Sequence, residues 1–201
     1  SKPYTYGNNN LLNKLTVYIP TCGRHEFLLS AISFWAGSPV QLIIGDGSQE
    51  PLPLEVQETI NCQKNMHYFH NLNGPSRRLT IAAQLVEREY IIIMGDDEFL
   101  LKHGVVAAIE ALENNEDFVA CIGQSVRFDF DHSSGIKYGD GYPHQDYAIS
   151  QNFIGERLLA AMKDYNAATC YAVLRRDVWV KSFGMGLRFS SPYANEIYQA
   201  M

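Results

Sequence analysis

The chain has 201 residues, 46% of them hydrophobic, and carries a formal net charge of −6 with a sequence pI near 5.5. This length and composition suit one domain with a buried core, and the acidic balance argues against a surface that tracks nucleic-acid phosphates. No apolar run reaches the roughly 18 to 20 residues that span a bilayer, so the sequence predicts no membrane segment.

Residues 1–14 are polar and predict a tail or linker. Strand and helix patterns then alternate through the first half of the chain. The predicted strands are 15–19, 40–44, 66–69 and 90–94, and the predicted helices are 25–36 and 76–88. This alternation predicts a mainly parallel sheet with right-handed crossovers.

The second half of the chain continues in the same style. The pattern predicts a helix at 105–112, a strand at 118–128, a loop at 129–147, a helix at 153–162, a strand at 169–174 and a short helix at 176–183. A loop this long in a compact domain is usually a functional lid or a binding loop. The fold class expected for residues 15–201 is therefore a single α/β domain with a mainly parallel central sheet flanked by helices.

The cysteines and histidines give no metal signature. The four cysteines lack zinc spacing, and three lie in or beside apolar segments, which predicts reduced core thiols and a reducing, cytoplasmic compartment. Five histidines without ligand spacing are interpreted as surface or loop residues: His67, His70, His103, His132 and His144.

An acidic cluster follows the apolar strand at residues 91–94. The strand stops at Gly95, and Asp96, Asp97 and Glu98 come next, at the carboxyl end where open α/β sheets bind ligands. Adjacent carboxylates repel each other unless a cation screens them, and hard oxygen ligands suit Mg²⁺ or Mn²⁺ carrying a phosphate. The alternative is a solvated turn that caps the next helix.

Two other segments are expected to end at the same edge, residues 20–24 and 45–48. Gly45 and Gly47 flank Asp46, so the backbone can approach a ligand, and the aspartate can accept a hydrogen bond from a base imide or a ribose hydroxyl. The alternative is a simple turn in which Asp46 caps its own loop.

A pair of arginines begins the helix that precedes the acidic strand. Arg77 and Arg78 follow the turn at residues 73–76, and one of them can clamp a diphosphate with two parallel hydrogen bonds. The alternative is that both are solvated helix charges.

Several segments in order resemble a known family. LTVYIPTCGR, QLIIGDGS, NGPSRRLTIAAQLVEREYIIIMGDDEFLL and YAVLRRDVWVKSFG together resemble the nucleotide-diphospho-sugar transferase (GT-A) fold of inverting, family 2-like glycosyltransferases. The resemblance covers about residues 15–201. It implies a nucleotide-binding half at 15–98 and an acceptor-binding half at 99–201, with acceptor specificity in residues 129–152.

The resemblance also implies specific nucleotide contacts. Asp46 would contact the uracil or other base, and Arg78, at the arginine of the family's Ala-Arg-Asn segment, would contact the phosphates. The full set of nucleotide-binding candidates is Pro20, Thr21, Cys22, Arg24, Asp46, Arg78 and Asp96.

The metal motif departs from the family's Asp-x-Asp pattern. Gly95 stands at the first acidic position, Asp97 at the second and Asp96 in the variable middle. The resemblance therefore implies Mn²⁺ or Mg²⁺ on Asp97, with Asp96 taking the ribose or metal contact that the missing carboxylate would have made.

The family's catalytic base is expected beyond the Phe183-Gly184 turn. Glu196 occupies that position and is the candidate that deprotonates an acceptor hydroxyl, although Asn195 precedes it and Ile197 replaces the pair's second acid. The alternative is an exposed glutamate in the first turn of a helix.

The function expected from this resemblance is a metal-dependent inverting glycosyltransferase, of hexosyltransferase type, acting in polysaccharide biosynthesis. It would move a sugar from a UDP-linked or other nucleotide-diphosphate donor to a hydroxyl of a glycan, a lipid-linked acceptor or a small molecule. One alternative is a sugar nucleotidyltransferase, but residues 20–24 lack the Gly-rich loop such enzymes carry. The other is a non-catalytic module that binds a nucleotide or glycan on the same fold.

Overall fold

A computed structural model describes residues 9–131, 133, 135–141, 148–163, 170–186 and 194. A short 3-10 helix, Asn9–Lys14, comes first. The strands are β1 (Leu15–Thr21), β2 (Gln41–Asp46), β3 (Met66–His70), β4 (Tyr90–Ile93), β5 (Ala120–Cys121), β6 (Val126–Asp131), β7 (Gly135–Asp140) and β8 (Val173–Arg175). The helices are α1 (His25–Trp35), α2 (Leu54–Asn61), α3 (Gly74–Leu85), α4 (Lys102–Glu113), α5 (Ile154–Lys163) and α6 (Arg176–Ser182).

Six strands form the central sheet in the order β3-β2-β1-β4-β8-β5. The first four are parallel, and β8 runs antiparallel to both β4 and β5. The chain lays β2 and β3 on one side of β1 and then returns to place β4 on the other side. The strand order therefore reverses between β1 and β4, and a crevice opens there at the carboxyl edge. The predicted α/β class with a mainly parallel sheet is confirmed.

The sheet is buried on both faces, which explains its nearly continuous apolar strands. Val17 and Ile19 of β1 point to one face, in a cluster that includes Leu28 of α1 and Ile109 of α4. Tyr18 points to the other face, where its ring lies edge-on to Trp179 of α6. Consecutive residues of β1 thus anchor helices on opposite sides and fix the position of its carboxyl end.

The prediction for residues 118–147 was wrong in two ways. The expected single strand is divided into β5 and β6, which belong to different sheets, and part of the expected loop is β7, which pairs with β6. Alternation of Val126, Phe128 and Phe130 with charged residues is a strand pattern that continues past the predicted boundary. Residues 142–147 lie outside the described part of the chain.

The β6–β7 ribbon has one apolar face. Phe128 pairs with Tyr138 and Phe130 with Ile136, and all four side chains are exposed. Phe128 also approaches Phe99, which follows the acidic cluster, with 6.4 Å between ring centroids. Neither strand of the ribbon has a buried residue, and α5 has none either.

The predicted tail is partly packed on the domain. Residues 1–8 lie outside the described part of the chain, but Leu12 of the 3-10 helix is 2% exposed and belongs to the core. Lys14 is 3.0 Å from Glu113 of α4 and 3.4 Å from Glu89. Helix α2 was not predicted because its pattern buries only Ile60. Among the described helices, none is long and apolar enough to cross a membrane.

Candidate functional site

Three strand ends meet at the crevice between β1 and β4. Tyr18 O accepts from Met94 N, whereas Thr21 O accepts from Gly47 N, so alternate residues of β1 face β4 and β2. Pro20 is two residues after Tyr18, so its backbone groups also point toward β4. That strand has already ended at Ile93. Because proline lacks the N–H that a longer β4 would require, it fits where the two strands separate.

Asp96 lies buried at the point where β1 and β4 diverge. Its side chain is 0% exposed, and Thr21 Oγ1 donates a hydrogen bond of 2.6 Å to Asp96 Oδ2. Arg24 Nη2 lies 2.5 Å from Asp96 Oδ1. A carboxylate removed from water needs such partners to remain in place.

Asp97 shares the same arginine but stays accessible. Arg24 Nη1 donates to Asp97 Oδ2 at 2.8 Å, and the Asp97 side chain is 46% exposed. The guanidinium therefore bridges two consecutive carboxylates and offsets their repulsion. Glu98 closes its own turn, because its carboxylate accepts from Gly95 N at 2.7 Å, and it does not cap α4, whose first turn has no side-chain cap.

Asp46 organises the loop after β2. Its carboxylate is buried and accepts hydrogen bonds from Ser48 N at 2.8 Å and Tyr68 Oη at 2.6 Å, and His25 Nε2 lies 2.9 Å away. Burial alone would raise the pKa of Asp46, but the hydrogen bonds from Ser48, Tyr68 and His25 outweigh it and lower that pKa. With no exposed surface, Asp46 meets a base in this conformation only through neighbours such as His25 or Ser48.

Sequence reasoning missed His25 as a site residue. It begins α1, directly after the loop at residues 20–24, and its ring reaches the carboxylate at the end of β2. A histidine opening the helix that follows the first strand is a weak signal, because only the β1–β2 register brings it to Asp46. The interpretation of His67 and His70 as surface or loop residues was also wrong, since both lie half-buried in β3.

Replacing Asp46 with asparagine is expected to lower the free energy of unfolding by about 1–3 kcal/mol at neutral pH, because an amide nitrogen would face buried donors. The lowered pKa of Asp46 means that its contribution is present above the carboxyl's ordinary range and is lost as pH falls through the folded-state pKa. Urea unfolding at pH 7 and pH 3 checks this. The difference between wild type and variant should shrink at pH 3, and an equal difference at both pH values would contradict it.

Arg78 is buried beneath the loop at residues 45–48. Its side chain is 7% exposed, and Nη1 donates to Asn71 O at 3.1 Å. A Cβ on Gly47 would overlap the Arg78 guanidinium, so glycine at position 47 permits this packing. Arg78, unlike exposed Arg77, therefore lies against the predicted nucleotide loop.

The β1–α1 and β2–α2 loops contact each other and enclose a cleft. Gly23 N donates to Ser48 Oγ at 2.7 Å, and Cys22 Sγ lies 3.3 Å from Gly47 O. The cleft has a volume of about 440 Å³, with Arg24 and His25 on one wall and Ser48 on the other. It lies beside Asp46 and within reach of the Arg24 bridge.

Among the described residues of this cluster, Asp97 is the accessible ligand for a divalent cation. Mg²⁺ and Mn²⁺ commonly bind one or two carboxylates together with substrate phosphates and water, and exposed Asp97 fits that role. Asp96 can ligate only after Arg24 leaves it. No group of three or more metal-ligating side chains occurs among the residues that the structure describes.

Some predicted residues cannot be placed in this arrangement. Glu196 and its neighbours Asn195 and Ile197 lie outside the described part of the chain. The prediction of three core thiols was wrong, because Cys22 and Cys62 are exposed and Cys121 and Cys170 are only partly buried. None of the four cysteines forms a disulfide.

Comparison with solved structures finds proteins of the same fold. Staphylococcus aureus TarS 1-349 superposes with a TM-score of 0.59 at 14% identity, covering 93% of this chain and 55% of that one. TarS 1-349 in complex with UDP gives a TM-score of 0.60 at 14% identity, covering 93% and 54%. The complex with UDP-GlcNAc gives 0.58 at 14% identity, covering 93% and 53%.

These similarities show a shared fold of the predicted GT-A type. The chain spans about 55% of the length of TarS 1-349. A scan of protein-family models and a search of curated proteins gave no match.

Proposed function

We propose that the protein is a glycosyltransferase that moves a sugar from a nucleotide-diphosphate donor, most simply UDP-linked, to an acceptor hydroxyl with inversion. The observation that carries the proposal is the convergence of Thr21, Arg24, Asp46, Asp96 and Asp97 at the switch point of this fold. Support also comes from TarS, which shares the fold and is crystallised with UDP and UDP-GlcNAc.

The cleft between the β1–α1 and β2–α2 loops suits the base and ribose. His25 and Ser48 line it, and both contact the buried carboxylate of Asp46. The aspartate therefore fixes the positions of these two lining residues. Tyr68 helps to fix Asp46, because burial and the hydrogen bond to the carboxylate raise the pKa of Tyr68 and keep its hydroxyl a donor. Arg78 supplies positive charge beneath the same loop.

Asp97 is the proposed ligand of Mg²⁺ or Mn²⁺, and Asp96 the supporting one. A bound divalent cation would offset the charge that develops on the leaving diphosphate. The chain's own task is to present the Asp97 carboxylate at the mouth of the crevice, and Glu98 assists by holding the Gly95 turn through its bond to Gly95 N.

Glu196 is the proposed base. It would accept the proton of the acceptor hydroxyl while that oxygen attacks the anomeric carbon from the face opposite the nucleotide. Residues 15–98 would then bind the donor and residues 99–201 the acceptor. We also propose a reducing, cytoplasmic location, because none of the four cysteines forms a disulfide and two of them, Cys22 and Cys62, are exposed.

Calorimetric titration with UDP, with and without Mn²⁺, tests the donor site. The expected result is saturable UDP binding that strengthens at least about tenfold when Mn²⁺ is present, a typical size for coupling between two ligands. GMP and inorganic phosphate serve as controls for base and phosphate recognition. Absence of UDP binding under both conditions would contradict the proposal.

Donor hydrolysis separates the proposed enzyme from a non-catalytic module. Gly95 in place of an acidic residue and Ile197 after Glu196 are the departures that favour the module. A panel of nucleotide sugars incubated with the protein and Mn²⁺ should release UDP from one donor. Metal-dependent UDP binding without turnover of any donor, with or without acceptors, would identify the module, and synthesis of a sugar nucleotide from a sugar phosphate and UTP would identify a nucleotidyltransferase.

A further inference from the structure

The bridge between Arg24 and the two aspartates places a positive charge where the proposed metal would bind. Arg24 lies in the loop between β1 and α1, and its two terminal nitrogens contact Asp96 Oδ1 at 2.5 Å and Asp97 Oδ2 at 2.8 Å. A guanidinium has the planar fork that such a double contact requires.

Asp96 makes this bridge more than a surface ion pair. Its carboxylate is fully buried, and among described residues its partners are Thr21 and Arg24. A buried carboxylate left with one hydroxyl donor would be costly, so a cation must stay nearby in every state of the site. Arg24 meets this need in the structure.

A divalent cation cannot simply be added to this arrangement. Asp97 Oδ2 is already occupied by Arg24 Nη1, and a metal on the same carboxylate would lie close to the guanidinium and repel it. A diphosphate that arrived with the metal would bring negative charge and give the guanidinium another acceptor.

We propose that Arg24 is a positioning residue that exchanges partners during donor binding. Without donor it occupies the metal position by bridging Asp96 and Asp97. On binding of a nucleotide with its metal, Arg24 would move from Asp97 to a diphosphate oxygen, and the released Asp97 carboxylate would be able to hold the cation. This inference rests on the proposed function and adds a coupling: the site disfavours metal alone and accepts metal together with the nucleotide.

The surroundings of Arg24 permit this movement. Its side chain is 47% exposed and lines the cleft between the β1–α1 and β2–α2 loops. A diphosphate oxygen can replace Asp97 Oδ2 as the acceptor for Nη1, so the guanidinium keeps two anionic partners in both states, Asp96 and then either Asp97 or the diphosphate. Thr21 and Asp96 remain in contact throughout and hold the strand ends together.

Binding of Mn²⁺ to the nucleotide-free protein tests the exchange. Free Mn²⁺ measured by electron paramagnetic resonance should show weak binding to wild type and at least about tenfold tighter binding to Arg24→Gln. With saturating UDP, the Mn²⁺ affinity of wild type should rise by at least about tenfold, and that of Arg24→Gln by clearly less, because the coupling has been removed.

Arg176→Gln is the matched control. Arg176 has a side chain 46% exposed, close to the 47% of Arg24, and it pairs with an aspartate, Asp177, at 3.5 Å. It follows β8, which runs antiparallel to β4, so it lies at the opposite edge of the sheet. Its substitution should leave both Mn²⁺ titrations unchanged.

Two outcomes would overturn the exchange. One is equal Mn²⁺ affinity of wild type and Arg24→Gln without nucleotide. The other is UDP binding that ignores Mn²⁺ in wild type and disappears in Arg24→Gln, which would make the arginine a permanent cation. Failure of the proposed function would appear differently, as no UDP binding by any variant. Should Arg24→Gln not fold, Arg24→Lys retains one charge but not the double contact and should give an intermediate Mn²⁺ affinity.

Discussion

Replacing Asp97 with alanine is expected to lower kcat/KM for sugar transfer by about 10²- to 10³-fold, the loss typical of removing one group that stabilises developing charge. Asp97 is the one carboxylate of the cluster that is both beside Arg24 and substantially exposed. Its side chain takes no part in the described core, so the melting temperature should change little. Steady-state kinetics at several Mn²⁺ concentrations, together with a thermal melt, measure both quantities.

Asp117→Ala is the control for that variant. Asp117 is also exposed, but it precedes β5, which runs parallel to β4, and so it lies at the amino edge of the sheet. Its substitution should leave transfer unchanged. A wild-type rate for Asp97→Ala, with UDP-dependent Mn²⁺ binding intact, would remove Asp97 from the proposed metal site.

Replacing Glu196 with glutamine is expected to lower kcat by about 10²- to 10⁴-fold while UDP affinity remains at the wild-type value. The amide keeps the size of the side chain but cannot accept a proton from the acceptor hydroxyl. Pre-steady-state measurement of transfer, with calorimetry of UDP in parallel, separates the chemical step from donor binding.

Glu156→Gln provides the matched comparison, since Glu156 is an exposed glutamate in the first turn of α5. That is the local setting which Glu196 would have if it had no catalytic role. A Glu196 variant that behaves like the Glu156 variant, with unchanged kcat, would show that another group is the base.

The strand ends of the site could be predicted from local sequence, and the side-chain contacts could not. Apolar runs ending at Asp46 and Gly95 indicated buried parallel strands, and parallel strands bring their carboxyl ends to one edge. The Arg24 bridge joins residues more than 70 positions apart, and it depends on β4 ending before Pro20, where only the β2 side of β1 stays paired. No periodicity in the sequence carries that information.

The alternating pattern of strand β6 was also harder to interpret, because every second residue in it is charged. The ribbon's Asp129 and Asp131 are residue types common in loops, yet they alternate with Phe128 and Phe130 along the strand β6. The contact of His25 with Asp46 could not be predicted either, because it depends on the register between β1 and β2, which precede and follow His25 in the chain. Local composition identified the core strands because burial on both faces leaves a continuous apolar run.

The β6–β7 ribbon and α5 contrast with the central sheet in how much they bury. None of their described residues is buried, whereas every residue of β2 is. An isolated two-stranded ribbon is marginally stable in water, so its amides should exchange with solvent deuterium through local opening, orders of magnitude faster than those of β1 and β2. The β6–β7 ribbon and α5 can therefore open and close at small free-energy cost while β1 and β2 remain folded.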